Sequence, residues 1–400
     1  MRNLLRRIGS TWSAGVLGVL GATTATGVAA VAEPQPTVRF AVLDTELARG
    51  ELGGLAKAMR AGDAPDIRRV AEVVQRVRPD VLLLQGVDFD ATRETVRLFR
   101  RNYLTRSQNG ARPIDYPFAV VPRVNTGVAS AADLDRNGEV GGPGDAFGPG
   151  AFPGQDGLLL LSRLPLRKDQ AHTFRRLRWA EVPGLDFPDH LYDAGVAEVM
   201  RLSTRTHVDV PVELGDSVVR LLLSGPRSPA ADDEVSTLRN AAELGFWHLY
   251  LSGRTLRNDE GDLVTLPMDV PAVLIGQWGV DPFDGPVGGA SLHRLLGHPR
   301  GSASADGGTR MPPASRGGLA SGLAAQPGSP GAAQRGDPAA DTTATTRIGP
   351  LRTAYVLPMG PGVEVVDQGV FWPIGQEPAA SVVAQMPQRM VWVDLRLSGE

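Results

Sequence analysis

The sequence predicts an α/β fold, and three consecutive segments near its start carry that prediction. Thr37 to Leu43 (TVRFAVL) reads as a strand. From Asp66 to Val77, the residues Ile67, Val70, Val73, Val74 and Val77 recur at helical spacing and share one face. Val81 to Leu84 is wholly apolar and too short for a helix, as a central strand covered on both faces would be. A strand, a helix and a second strand within about fifty residues begin an α/β architecture.

The elements that follow keep this character. Residues 121–157 are rich in Gly, Pro and Asp and form a long ordered loop. Leu158–Leu161, Val196–Leu202 and Val218–Ser224 read as strands, and Leu238–Leu251 as a helix with Trp247 on its apolar face. Val273–Ile275, Ala354–Leu357, Val363–Val366 and Val391–Leu397 complete the strands. Residues 298–347 hold almost no large apolar side chain, so they bury too little surface to offset their ordering entropy. They are expected to form a disordered, low-complexity insertion within one domain spanning 37–397, because strands resume after them.

Composition narrows the function. The 400-residue chain is 42% hydrophobic, enough for one large or two modest domains. Its net charge of -3 argues against a broad nucleic-acid-binding surface, though not against a local basic patch. Lysine occurs only at Lys57 and Lys168, so nearly all positive charge is arginine. The absence of cysteine excludes disulfides, zinc–thiolate sites and cysteine nucleophiles.

The N-terminus carries Arg2, Arg6 and Arg7, a weakly apolar stretch from Trp12 to Val31, and small residues at Ala30-Val31-Ala32. That order is the pattern of a secretory signal peptide over 1–32, which implies a periplasmic or secreted protein. An uncleaved anchor is the alternative, but the Gly, Thr and Ala content makes a poor one. No later segment is apolar enough to span a membrane, and the mature chain is expected to be a monomer.

The apolar run Pro271–Ile275 leads into Gly276-Gln277-Trp278-Gly279-Val280-Asp281-Pro282. A second dense block runs from Asp133-Leu134-Asp135-Arg136-Asn137-Gly138 through Gly141-Gly142-Pro143, Asp145-Ala146 and Phe152-Pro153-Gly154-Gln155 to Leu161-Ser162-Arg163. Arg78-Pro79-Asp80, Ser203 to Pro211, Arg239-Asn240, Tyr355-Val356-Leu357-Pro358, Gly369 to Pro373 and Arg389 to Leu395 follow in matching order. Together these resemble an exported bacterial branch of the endonuclease/exonuclease/phosphatase superfamily over nearly all of 37–397. The resemblance implies a four-layer sandwich of two β-sheets flanked by helices. It also implies a divalent metal, usually Mg²⁺, and phosphoester hydrolysis in active members.

The resemblance assigns catalytic positions, and this chain departs from them one after another. The Asn after the first strand falls on Asp44, and the metal-holding Glu on Gly86. One His falls on Gly225, and the water-activating Asp with its Asn on Gln277 and Gly279. A further Asp falls on Ala354, and the late Asp-His pair on Pro387 and Gln388. A glycine offers the metal no carboxylate, and Gln277 cannot take a proton at neutral pH. The expectation is a catalytically inactive pseudoenzyme kept for binding, with no catalytic cofactor; Trp278 is expected to add bulk at the cleft floor.

The alternative is an active phosphodiesterase or nuclease using Mg²⁺ or Mn²⁺ at a displaced site, drawn from Asp44, Asp88 and Asp281. Asp88 and Asp90 also fit solvated or capping roles. His207 is read as a structural histidine bonded to Asp209, with a remnant catalytic role as the alternative. His172, His190, His248, His293 and His298 fit no constellation, and Trp179, Trp247, Trp372 and Trp392 read as packing. Separately, Asp133, Asp135 and Asn137 with Gly138 form the first half of a calcium loop, although Gly144 stands where its last carboxylate belongs and Asp145 follows. Either a structural Ca²⁺ on Asp133, Asp135, Asn137 and Asp145 or a turn held by Asx hydrogen bonds fits this pattern.

Overall fold

A computed structural model gives the structure of the protein and describes residues 36–230, 232–285, 289–301, 311–324, 334–344 and 349–397. The expected signal peptide, 1–32, lies outside the described residues. The strands are β1 (Val38–Asp44), β2 (Val81–Val87), β3 (Phe118–Val120), β4 (Gly157–Ser162), β5 (His172–Thr173), β6 (His207–Leu214) and β7 (Ser217–Ser224). They continue as β8 (Leu256–Arg257), β9 (Leu263–Val264), β10 (Ala272–Gln277), β11 (Ala354–Met359), β12 (Val363–Phe371) and β13 (Met390–Leu397). The helices are α1 (Gly54–Arg60), α2 (Pro65–Val77), α3 (Glu94–Phe99), α4 (Ala194–Ala197), α5 (Glu234–Leu251), α6 (Ala290–Leu296), α7 (Arg316–Leu323) and α8 (Ala380–Val383).

Two mixed sheets form the body. One runs in the order β12-β13-β1-β2-β4-β3 and the other β11-β10-β7-β6-β5, with β8 and β9 as a separate hairpin. The period-two alternation of the strands builds the layers. Val38, Phe40 and Val42 of β1 meet Val208, Val210 and Val212 of β6 in the core between the sheets. Ala41 and Leu43 point the other way, into a core with Ile67, Val70, Val73, Val74 and Val77 of α2. A third core packs Phe246, Trp247 and Tyr250 of α5 against the outer face of the second sheet. Among the described residues no helix is long and apolar enough to cross a membrane.

One expected strand is absent and one unexpected strand is present. Val196–Leu202 is not a strand: Asp193 accepts the Val196 N–H at 2.9 Å and caps the single turn α4, and Arg201 makes only an isolated bridge to Arg178. Val196, Met200 and Leu202 are nevertheless buried, so their apolar pattern marks burial without extension. Strand β6 escapes a sequence reading because His207, Asp209 and Pro211 interrupt it. Its polar residues face α5, where Tyr250 donates to Asp209 at 2.7 Å and Arg220 donates to the same carboxylate at 2.6 Å.

Of the expected insertion at 298–347, residues 302–310, 325–333 and 345–348 lie outside the described residues. The described parts pack against the body. Gly317 of α7 lies against the Trp372 ring and Gly318 and Gly322 against Pro338. Val370 donates to the Ala314 carbonyl at 3.0 Å. Further on, Ala340, Asp341, Thr342 and Thr343 are all buried.

Candidate functional site

Parallel pairing of β1 with β2 sets Asp44 beside Gln85, and parallel pairing of β7 with β10 brings Ser224-Gly225 near Gln277. The ends of these four strands therefore converge, where open α/β sheets place their ligands. One side chain joins the two sheets there. The buried Gln85 carboxamide accepts the Gln277 N–H at 2.6 Å and donates to the Gln277 carbonyl at 3.2 Å.

An open cleft of about 440 Å³ lies at the β1 and β2 ends, lined by Asp44, Glu46, Gly86, Gln155, Asp156 and Arg205 among others. Arg205 pairs with the Asp156 carboxylate and donates to the Gly225 carbonyl at 3.0 Å. Burial pushes the Asp44 carboxyl up to about 6, against the pull of Arg205.

At the positions where the resemblance would put catalytic side chains, the chain carries small residues in tight surroundings. Gly86 has φ +72°, at a register shift between β2 and β4, and a Cβ there would sit 2.8 Å from both Asp44 Oδ1 and the Glu46 nitrogen. A Cβ at Gly225 would meet the Arg205 Cδ at 2.8 Å and the Gln85 Nε2 at 3.0 Å. Gly279 has φ +69°, and Ser228 occupies the space its side chain would need. If the resemblance places the metal-holding carboxylate at Gly86, the residues present do not fit a divalent metal there, since Gly86 has no carboxylate and a Cβ would meet Asp44 Oδ1 and the Glu46 nitrogen at 2.8 Å.

The remaining family positions are tied into a neutral network. Gln277 Nε2 donates to Thr353 Oγ1 at 2.9 Å and to Gln388 Oε1 at 3.2 Å, while its own Oε1 is enclosed without a partner. Ala354 opens β11 directly opposite Gln277. The end of the 298–347 segment completes this wall: Thr343 bridges Gln388, Ala344 donates to the Pro387 carbonyl at 2.8 Å, and Arg389 donates to the Thr342 carbonyl at 2.7 Å. Thr342 Oγ1 also accepts the Thr353 N–H at 2.9 Å. The backbone of Thr342 to Ala344 thus runs alongside Pro387 to Arg389.

Trp278 lies elsewhere than expected. It is fully buried in the core beneath the second sheet, stacked on Tyr355 with ring centroids 4.7 Å apart, and does not form the cleft floor.

The residues considered as remnants are each occupied structurally. Asp88 accepts the Arg49 N–H at 2.9 Å and the Asp156 N–H at 3.0 Å, tethering two loops. Buried Asp281 accepts the N–H groups of Phe283 at 2.7 Å, Asp284 at 2.8 Å and Arg352 at 2.7 Å. With Asp44 they do not gather: the sole group of three acidic or imidazole ligands among the described residues lies in the 133–145 loop.

His207 is fully buried, its Nε2 donating to the Glu243 carbonyl at 2.9 Å and its Nδ1 accepting from Ser203 at 2.7 Å. Its partner is therefore not Asp209. Burial pushes it down to about 4, so it stays neutral.

In the loop, Asp133, Asp135 and Asp145 each offer a carboxylate oxygen within 4.8 Å of the others. Asp145 is buried and accepts the N–H groups of Leu134 and Gly141, both at 2.6 Å. Asp133 accepts the Gly138 N–H at 2.9 Å and Asn137 Oδ1 accepts the Glu139 N–H at 2.8 Å, so Asx turns hold the strand of ligands. Three of the four expected residues come together, and Asn137 supplies a turn. Sequence reasoning missed Arg205, Asp156 and Gln85 as cleft residues; their signal is the bond that each makes across distant segments, which no local pattern records.

The fold and the strand-end cleft define a class, two mixed sheets flanked by helices in an α/β sandwich. The chain belongs to the Endonuclease/Exonuclease/phosphatase family, whose profile matches residues 58–381. Among solved structures, it is similar to an endonuclease/exonuclease/phosphatase from Beutenbergia cavernae, with 17% identity, 91% of this chain and 72% of that chain covered, and a TM-score of 0.48. A family structure from Bacteroides vulgatus is 11% identical, with 91% and 100% covered and a TM-score of 0.44. Sphingomyelinase C from Streptomyces griseocarneus is 14% identical, with 90% and 99% covered and a TM-score of 0.43. No curated protein sequence matches the chain.

Proposed function

We propose that this protein is a family member that no longer hydrolyses phosphoesters and keeps the fold as a binding scaffold. The observation that carries this is Gly86: a positive φ and the Asp44 carboxylate leave no space for the metal-holding side chain. Gln277, Gln388 and Pro387 supply neither base nor acid beside it. Function is argued from the site, and this site lacks the groups that phosphoryl transfer needs. The open cleft with Asp44, Asp156 and Arg205 is then a place for a polar ligand.

The test is an assay with Mg²⁺ or Mn²⁺ on supercoiled plasmid and on bis(p-nitrophenyl) phosphate. No turnover above a metal-only blank is expected. Metal-dependent turnover that disappears in Asp44→Ala would overturn the proposal and favour a displaced metal site. The basic, weakly apolar N-terminus supports export, so the binding role is placed in the periplasm or outside the cell. A structural Ca²⁺ on Asp133, Asp135 and Asp145 belongs to the same proposal.

A further inference from the structure

Four arginines lie close enough to act on one another, at positions other than those the resemblance assigns to catalysis. Arg123, Arg175, Arg176 and Arg201 act on one another electrostatically, and none makes an ion pair among the described residues. Asp259 is the acidic group that acts on them, but its oxygens are taken by the Arg176 backbone N–H at 2.6 Å and the Thr173 hydroxyl at 2.7 Å.

Two of the guanidiniums are held by one fully buried residue. Asn125 Nδ2 donates to the Arg175 carbonyl at 2.8 Å and the Ser203 carbonyl at 2.7 Å, which fixes the carboxamide's orientation. Its Oδ1 then accepts from Arg201 Nη1 at 2.7 Å and from Arg175 Nη1 at 3.3 Å. Those two legs put the Nη1 atoms within about 6 Å of each other, a distance at which like charges repel strongly outside bulk water.

The Arg201 guanidinium is also stacked over Phe147, 4.0 Å from the ring centroid. The other side-chain nitrogens of Arg175 and Arg201 make no hydrogen bond, and none is enclosed, so their N–H groups face solvent. Burial, and then Arg175 and Arg176, push Arg201 down to about 10, the direction expected of a half-buried guanidinium with no carboxylate partner.

Two half-buried forks, fixed by a buried amide and an aromatic face and lacking a carboxylate, form a preorganised acceptor for an anion. We propose that Arg175 and Arg201 bind a tetrahedral oxyanion of the sulfate or phosphate type, free or as a monoester. Such an anion brings two charges and several acceptor oxygens, enough to engage both forks at once. The site uses none of the positions that the family employs for catalysis, so it stands or falls independently of the lost hydrolysis.

The experiment titrates the full chain with sodium sulfate and with sodium phosphate, against sodium chloride at matched ionic strength, by calorimetry and thermal unfolding. Saturable heat and a saturable rise in Tm are expected with both oxyanions and not with chloride. R201Q should weaken binding about tenfold, as loss of a charge-assisted hydrogen bond does, and R175Q/R201Q should abolish it.

R175Q, which removes the longer of the two bonds, serves if R201Q does not fold. R97Q, an exposed charge in a separate basic groove with Lys168, should bind as the parent does. Glycerol 3-phosphate binding as tightly as phosphate assigns an esterified ligand, and weaker binding assigns the free ion; both support the site. No saturable effect in the parent, or an equal loss in R97Q, would overturn it.

Discussion

The strand-end cleft and the 133–145 loop make opposite use of carboxylates. Around the cleft, Asp44, Asp88 and Asp281 stand on separate segments, and each turns its oxygens to nearby backbone N–H groups. In the loop, Asp133, Asp135 and Asp145 also accept backbone N–H groups, yet leave an oxygen each within 4.8 Å of the other two. The cleft is where the fold gathers distant strands, and the loop is a local turn. In this chain the turn converges its charges and the strand ends do not. Acidic residues near a cleft are therefore weak evidence of a metal site until the direction of each oxygen is known.

The largest expected effect tests how thoroughly the cleft has been rebuilt. Gly86→Ala puts a Cβ at φ +72°, 2.8 Å from the Asp44 carboxylate and the Glu46 nitrogen. Strain and overpacking together should cost about 2–4 kcal/mol, read from the midpoint of urea unfolding. Gly86→Glu, which puts in the residue the resemblance assigns to this position, should lose at least as much stability and gain no hydrolysis. An unchanged midpoint in either variant would show that the cleft still accepts a ligand side chain there, and the contrast with the loop would disappear.

A smaller effect sharpens the loop side. Adding Ca²⁺ should raise Tm, since a ligand at ten times its Kd stabilises by about 1.4 kcal/mol. The rise should vanish in Asp135→Asn, which keeps the loop's size and a hydrogen-bonding oxygen while removing one charge. No shift at millimolar Ca²⁺ leaves the loop as a set of Asx turns.

The scaffold was legible because burial repeats. Val38, Phe40 and Val42 alternate into one core, and Ile67, Val70, Val73, Val74 and Val77 share a helical face, so periodicity alone locates β1 and α2. The motif frames around Gly276–Asp281 and Asp133–Gln155 then name the family. Three parts of the cleft were not legible, each for a physical reason. Arg205 and Asp156 pair across nearly fifty residues, and Gln85 reaches Gln277 across the gap between sheets. The wall made by Thr342 and Thr343 comes from a stretch whose packing relies on glycine contacts and backbone hydrogen bonds, which hydrophobicity does not register. Trp278 was misplaced because the sequence shows that it is bulky but not which way it turns from the end of β10.

The smallest effect concerns Asp44, the carboxylate that lines the cleft at the end of β1. Asp44 has its folded value raised to about 6 by burial, above the ordinary carboxylate value of 3.8. Between those values the native state binds more protons than the unfolded state, so this group makes stability fall as pH rises through the window. Above about pH 6 the buried charge exerts its full cost, and below the ordinary value the cost is gone. Asp44→Asn removes the charge but keeps the oxygen that accepts the Glu46 N–H. It should therefore be more stable than the parent at pH 7, by about 1 kcal/mol once partial exposure is allowed for. The difference should shrink as pH falls from 6 towards 4, in paired thermal melts. A variant less stable at pH 7 would mean that the attraction of Arg205 outweighs burial. The cleft would then hold a compensated ion pair, as a site poised for a charged ligand requires.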